Sequence, residues 1–199
     1  MKSLLIAAVL AAVLPSLHAA QVGQPAPAFT LKDSKGTSHN LADFKGKTVV
    51  LEWINHGCPF VVKHYSGGAM QALQKDYTAK GVVWLSICSS APGKQGHMSP
   101  EEWNKTNAEK GAAPSAVLLD EDGKVGKLYQ AKTTPHMYVI NPEGLLVYAG
   151  AIDSIKSTSA ADVPKADNYV KSALDEVLAG KPVTTASTEA YGCSVKYAN

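Results

Sequence analysis

The chain has 199 residues, of which 45% are hydrophobic, 18% charged and 7% aromatic. That composition supports a globular domain with a core of useful size and excludes a disordered polymer. A formal net charge of +2, with every basic residue a lysine and none in a block, leaves no nucleic-acid footprint; three cysteines exclude a disulfide-dense scaffold.

Met1-Lys2-Ser3 is a short positive segment, and Leu4 to Leu14 is an apolar run too short to span a bilayer. Pro15-Ser16 breaks the run, and Leu17-His18-Ala19-Ala20 supplies small residues for cleavage. This pattern predicts a secretory signal peptide over residues 1–20, cut after Ala19 or Ala20. An exported, periplasmic protein with no stable membrane insertion is expected. Export would place the cysteines where disulfides persist. Residues 21–180 are read as one domain and 181–199 as a polar tail.

Val22 to Phe44 reads as an N-terminal hairpin turning at Asp33-Ser34-Lys35-Gly36. Thr48 to Ile54 is a β-branched run of the kind buried on both sheet faces. Cys58 to Lys80 has helical spacing interrupted at Gly67-Gly68, so a break is expected there. Val82 to Cys88 is a second buried strand. Ser99-Pro100-Glu101-Glu102 opens a helix with Ser as N-cap and Pro at the first turn.

Ala116 to Leu119 is a third short strand, and Val125 to Tyr129 a helical turn or two. His136 to Ile140 and Leu145 to Gly150, joined by Asn141-Pro142-Glu143-Gly144, form a hairpin. Ser157 to Asp162 reads as a polar loop. A last amphipathic helix is expected from about Pro164 to Ala179, stopped by Gly180 and Pro182. The order of elements gives an α/β fold: a mixed central sheet with helices on both faces.

Chemistry points to Cys58. It follows the carboxyl end of a buried strand and begins a helix, with Pro59 next. Unpaired N–H groups and the positive end of the helix dipole favour thiolate there. The thiol should ionise below its free value of about 8.5 and act as a nucleophile toward a disulfide or a peroxide. The plainer reading is a structural cysteine in the core.

Gly23-Gln24-Pro25-Ala26-Pro27 through Phe29 and Leu31, then Phe44-Lys45-Gly46-Lys47 and Val49-Val50-Leu51-Glu52-Trp53, resemble the opening of redoxins. These belong to the alkyl hydroperoxide reductase and thiol-specific antioxidant group. Asn55-His56-Gly57-Cys58-Pro59-Phe60-Val61 resembles a peroxiredoxin-like branch with a single cysteine in the motif. Thr133-Thr134-Pro135 resembles the cis-proline loop of the thioredoxin fold, and Gly150-Ala151-Ile152-Asp153 and Tyr191 to Tyr197 also resemble that branch. The resemblance implies a thioredoxin-like fold with an N-terminal β-hairpin extension. It implies a thiol–disulfide oxidoreductase or a thiol peroxidase with no cofactor. Its partner would be a thiol or disulfide protein, or a small thiol. Thr134-Pro135 would be cis beside Cys58. A substrate surface of Asn55, Pro59, Thr134, Pro135 and Trp53 follows, with Phe60 beside it.

Some positions depart from that pattern. Val61 stands where thioredoxins carry their second cysteine. Asn55 and Leu51 stand where peroxiredoxins carry Thr or Ser and Pro, and no arginine exists to hold a peroxide; lysine lacks the planar fork. A second thiol must therefore come from elsewhere. Cys193, in a tail whose aromatics suggest docking, is the favoured candidate. Cys88, at the strand end on the same sheet edge, is the alternative, although its neighbours favour a core role. His56, Lys63, His64 and His136 are expected near Cys58, with His56 a candidate acid–base group and solvent-facing loop histidines the plainer reading. No metal is expected as the leading reading; a copper carrier using Cys58 with His56 or His136, and Cys193, is a third possibility.

Overall fold

A computed structural model describes residues 19–198. The expected leader lies outside the described residues except for Ala19 and Ala20. Among the described residues no helix is long and apolar enough to cross a membrane.

The sheet is built from β1 (Thr30–Asp33), β2 (Ser38–Asn40), β3 (Val49–Trp53), β4 (Val83–Cys88), β5 (Ala116–Leu119), β7 (His136–Ile140) and β8 (Leu146–Gly150). Their spatial order is β2-β1-β5-β4-β3-β7-β8. The central strands β3, β4 and β5 run parallel, and the flanking pairs run antiparallel. The parallel strands are buried throughout or nearly so, as their apolar runs require. Two-residue strands β6 (Thr133–Thr134) and β9 (Cys193–Ser194) pair apart from the main sheet.

Strand parity sorts the core into two layers. Val50, Trp84, Met137, Val139 and Tyr148 face one side. They pack under α1 (Pro59–Ser66), α2 (Ala69–Ala79), Trp103 of α3 (Pro100–Lys110), and α5 (Tyr169–Leu178). Val49, Leu51, Trp53, Leu85, Ile87 and Tyr138 face the other, beneath α4 (Lys124–Leu128) and the N-terminal segment. Cys58 belongs to the first layer.

The sequence signals for helix ends act as expected. Ser99 Oγ accepts from Glu102 N at 3.2 Å while Ser99 N donates to the Glu102 carboxylate at 2.7 Å. The long helical pattern breaks between α1 and α2, where Gly68 has φ 77, a conformation costly for any residue with a side chain. Two expectations change. Ala160–Lys165 is a 3-10 turn containing Pro164, not a loop followed by helix. The last helix starts at Tyr169 because Ala166 is extended, and Asn168 caps the new start by accepting from Lys171 N at 2.8 Å.

Residues 181–198 are not a separate appendage. Thr184 is tied to Glu176, Ser187 bridges to Ala149 beside β8, and Thr188 Oγ1 accepts from Ala151 N. Further along, Ala91 N donates to Lys196 O, and Tyr197 Oη donates to Ala131 O.

One acid interrupts the apolar run of β3. Glu52 is fully buried and accepts from Tyr65 Oη (2.8 Å), Trp84 Nε1 (2.8 Å), Ser86 Oγ (3.0 Å) and Gln74 Nε2 (3.1 Å). Burial pushes its carboxyl above the usual carboxylate range, and the four donors only partly oppose this. A raised folded value means the folded chain keeps a proton that the unfolded chain gives up. Its contribution to stability is therefore full below the ordinary carboxylate pKa and falls as pH rises toward the folded value. Glu52→Gln removes that contribution, while the buried histidines, which act in the opposite sense, are the same in both proteins. Urea melts at pH 5 and pH 8 should show the ratio of the wild-type to the variant folding constant falling as pH rises.

Candidate active site

Cys58 stands at the N-cap of α1, with Pro59 at the first helical position. Its N–H donates to Asn55 O at 2.9 Å, closing the turn that follows β3. Its side chain is wholly buried. The thiol donates to Thr134 O at 3.1 Å. The Thr134–Pro135 bond is cis. Thr134 is also the register partner of Cys193 across β6 and β9. One residue thus touches the first sulfur and pairs with the residue carrying the second.

That juxtaposition splits the two thiols. Burial raises the Cys58 thiol pKa, but hydrogen bonds from the Cys193 thiol, the Cys193 backbone and the Val61 N–H outweigh it, so Cys58 lies below the ordinary thiol range. The Thr134 hydroxyl is buried with no other partner and is placed to donate to the same thiolate. Cys193 moves the other way. Burial, its hydrogen bond to Cys58 and repulsion from that sulfur's charge push it up to about 11. The pair titrates as a unit.

Cys88 is apart from this pair. Its thiol donates to Gly96 O at 3.4 Å, and burial pushes it up. The structure brings Cys193, not Cys88, to Cys58.

Three expected site residues have other tasks. Trp53 is fully buried on the opposite sheet face, where Nε1 donates to Ser89 Oγ at 2.9 Å. It is the register partner of His136, and both therefore point away from Cys58. Asn55 is 1% exposed: Oδ1 accepts from Gly57 N at 2.9 Å and Nδ2 donates to Gln95 O at 3.2 Å. It shapes the turn and is buried within it, so it presents no surface to a substrate. His56 sits against Tyr65 and Trp103, with Nε2 3.1 Å from Asn107 Oδ1. Burial pushes it down to about 4, so the ring is neutral and removed from acid–base work near pH 7.

His136 stacks on Tyr138 at 4.6 Å and is likewise pushed down by burial to about 4. The ligand set of the copper reading is thus not assembled. Among the described residues no cluster of three His, Cys, Asp or Glu could hold a metal ion. Pro59 remains exposed beside Cys58, and Phe60 packs edge-on against Tyr191 at 5.7 Å.

Sequence reasoning missed how Lys63 is used. Its Nζ is buried and contacts Asp153 Oδ2 (2.8 Å), Ile155 O (2.7 Å) and Tyr191 Oη (3.2 Å). Tyr191 Oη also donates to Asp153 Oδ1. His64 lies 3.8 Å from the same carboxylate. No local spacing could have announced a contact between residues so far apart in the chain. A lysine directly after the apolar run Phe60-Val61-Val62 near the start of the helix was the available signal.

A model of the AhpC/TSA family matches residues 22–149. The chain belongs to the AhpC/TSA family. Thiol-disulfide oxidoreductase ResA of Bacillus subtilis is 29% identical over 138 residues, 68% of this chain and 70% of that one. An uncharacterized conserved protein of Geobacillus kaustophilus superposes with a TM-score of 0.79 at 31% identity, covering 89% of this chain and 93% of that one. The thioredoxin domain of a thiol-disulfide oxidoreductase from Bacteroides vulgatus gives 0.52 at 26%, covering 73% and 96%. The fold is thioredoxin-like: a mixed sheet flanked by helices. The AhpC/TSA match holds Cys58 and Thr134 but ends before Asp153, Tyr191 and Cys193, so the tail lies beyond the part this member shares with the family model.

Removing the donor thiol should take away a contact that holds Cys58 low. Cys193→Ala should raise the titration midpoint of Cys58. The rate of alkylation by iodoacetamide as a function of pH measures it, with the modified residue located by mass spectrometry.

Proposed function

We propose that this AhpC/TSA protein is a thiol–disulfide oxidoreductase that cycles between a Cys58, Cys193 dithiol and a Cys58–Cys193 disulfide. One observation carries the reading: the sulfur favoured as thiolate and a second cysteine share the Thr134 main chain. The relatives named above support the class of reaction.

The chemistry balances on these two residues. The Cys58 thiolate attacks one sulfur of a disulfide substrate, forming a mixed disulfide and releasing the first substrate thiolate. That thiolate takes the Cys193 proton. The Cys193 thiolate then attacks the Cys58 sulfur, forming the Cys58–Cys193 bond and releasing the second substrate thiolate. The second thiolate takes from solvent the proton that Cys58 gave up on ionising, so one disulfide becomes two thiols and the dithiol protein has lost two electrons and two protons. An external dithiol regenerates the pair by attacking the Cys193 sulfur and expelling Cys58, because the more acidic thiol leaves faster; its second thiol then closes the reductant's own disulfide and releases Cys193.

A peroxidase is the weaker reading. Asn55 is committed to Gly57 and Gln95, and the chain has no arginine to orient a peroxide. The reading also places the protein outside the cytoplasm, on the strength of the leader-like segment before Ala20. A disulfide cycle suits that compartment.

Reduced protein mixed with 2-hydroxyethyl disulfide tests the cycle. Wild type should release two small thiols per chain and carry a 58–193 link on peptide mapping. Cys193→Ala should release one and retain the adduct on Cys58. Cys58→Ser should react about a hundredfold more slowly or worse. A 58–88 link in wild type would assign the second thiol differently.

A further inference from the structure

Among the described residues, strands β6 and β9 pair only with each other. Cys193 lies opposite Thr134, and Val195 N donates to Lys132 O on the same edge. The tail therefore sits as an added strand, extended, with a cysteine aligned on Cys58. Another extended chain offering a disulfide at the same height would need the same edge, because main-chain pairing is how an added strand binds. Gly192 makes the fit possible. Its φ is 143, and a side chain there would collide with the Thr134 carbonyl.

The added strand is fastened beside its cysteine. Tyr191 is 5% exposed and is held by Asp153 and by Lys63, whose own helix begins at Cys58. Its ring packs on Phe60 and lies 5.5 Å from the Lys63 ammonium. A cleft of about 440 Å³, lined by Lys132, Thr133, His136, Thr188 and Glu189 among others, adjoins residues 187–190. Thr188 and Tyr197 hold the tail on either side, and Tyr191 is the contact next to Cys193 that ties it to the helix of Cys58.

We propose that β9 is a built-in competitor for extended cysteine-bearing polypeptides at the Thr133–Thr134 edge, fastened by Tyr191, Lys63 and Asp153. This rests on the oxidoreductase reading and names its substrate class. A compact disulfide needs only a side-chain movement of the half-buried Cys193 to reach Cys58. An extended chain needs β9 itself to leave. Tyr191 and Gly192 are thereby specificity-determining residues, and the direct substrates of the fastened form are small disulfides.

The test compares two probes that share one reacting bond. One is free cysteine joined by a disulfide to thionitrobenzoate. The other is the same cysteine in the middle of an extended, uncharged twelve-residue peptide. Cys58 attacks the cysteine sulfur, forms the mixed disulfide and releases thionitrobenzoate, read at 412 nm. The protein carries Cys193→Ser, which keeps the β9 backbone but stops the reaction at one turnover; a Cys58→Ser control sets the background.

The fastened protein should react with the free-cysteine probe at least tenfold faster than with the peptide. Adding Gly192→Val, or separately Tyr191→Ala, should bring the two rates within about threefold by accelerating the peptide reaction. Circular dichroism and a urea melt confirm that each variant is folded; because a Gly192 side chain presses on the Thr134 carbonyl that Cys58 also touches, the free-cysteine rate is the internal control for Cys58 reactivity in each variant. An unchanged ratio in folded Gly192→Val protein overturns the competitor role while leaving the oxidoreductase reading intact. Failure of both probes to label Cys58 in every folded variant overturns that reading itself.

Discussion

Main-chain pairing between Thr133–Thr134 and Cys193–Ser194 brings together two sulfurs separated by most of the chain. The thioredoxin arrangement places both cysteines on one helix turn, where local geometry alone sets their distance. Val61 occupies that second position here, so the partner must arrive from the far end of the sequence. A free tail would explore a large volume and meet Cys58 rarely. Pinning it at Thr188, Tyr191, Val195 and Tyr197 turns that encounter into a local one, at a high effective concentration.

The same pairing makes the two thiols unequal. A hydrogen bond between them must run in one direction, and Cys193 is the donor. Stabilising the charge on Cys58 therefore holds the proton more firmly on Cys193. Near neutral pH the buried sulfur is the one favoured as thiolate, and the more accessible one holds its proton. In the cycle proposed above, Cys193 gains its reactivity once a mixed disulfide has removed the charge on Cys58.

Much of this fold was legible in the sequence because its signals are local. β-branched runs mark the parallel strands, Ser99 and Glu102 mark a helix start, and Gly67-Gly68 marks a break. Cys58 was legible for the same reason, being a thiol at a strand-to-helix turn. Misreadings fall where a side chain's direction matters. Trp53 and His136 are close to Cys58 and Pro135 in sequence, yet strand parity turns both toward the opposite layer. Asn55 has the right chemistry to bind a substrate, but it is buried in the turn it helps form. The late start of the last helix came from Asn168 being a better cap than a start through Pro164. The Lys63–Asp153–Tyr191 contact joins three distant segments and has no local signature.

Helix α1 explains why charges are buried at all on this face. It has eight residues and ends at the Gly67-Gly68 break, so it is too short for apolar burial alone to fix its rotation. Two of its three inward polar residues, the third being His64, reach in different directions. Tyr65 donates to Glu52 within the sheet, and Lys63 reaches Asp153 and Tyr191 on the tail side. A rotation that kept the apolar contacts would break one of these, leaving a polar group or charge buried without its partner. Apolar packing tolerates small slips; satisfied buried polar networks do not. The cysteine at the head of α1 is thereby aimed at Thr134, and the tail that carries its partner is anchored to the same helix by the same lysine.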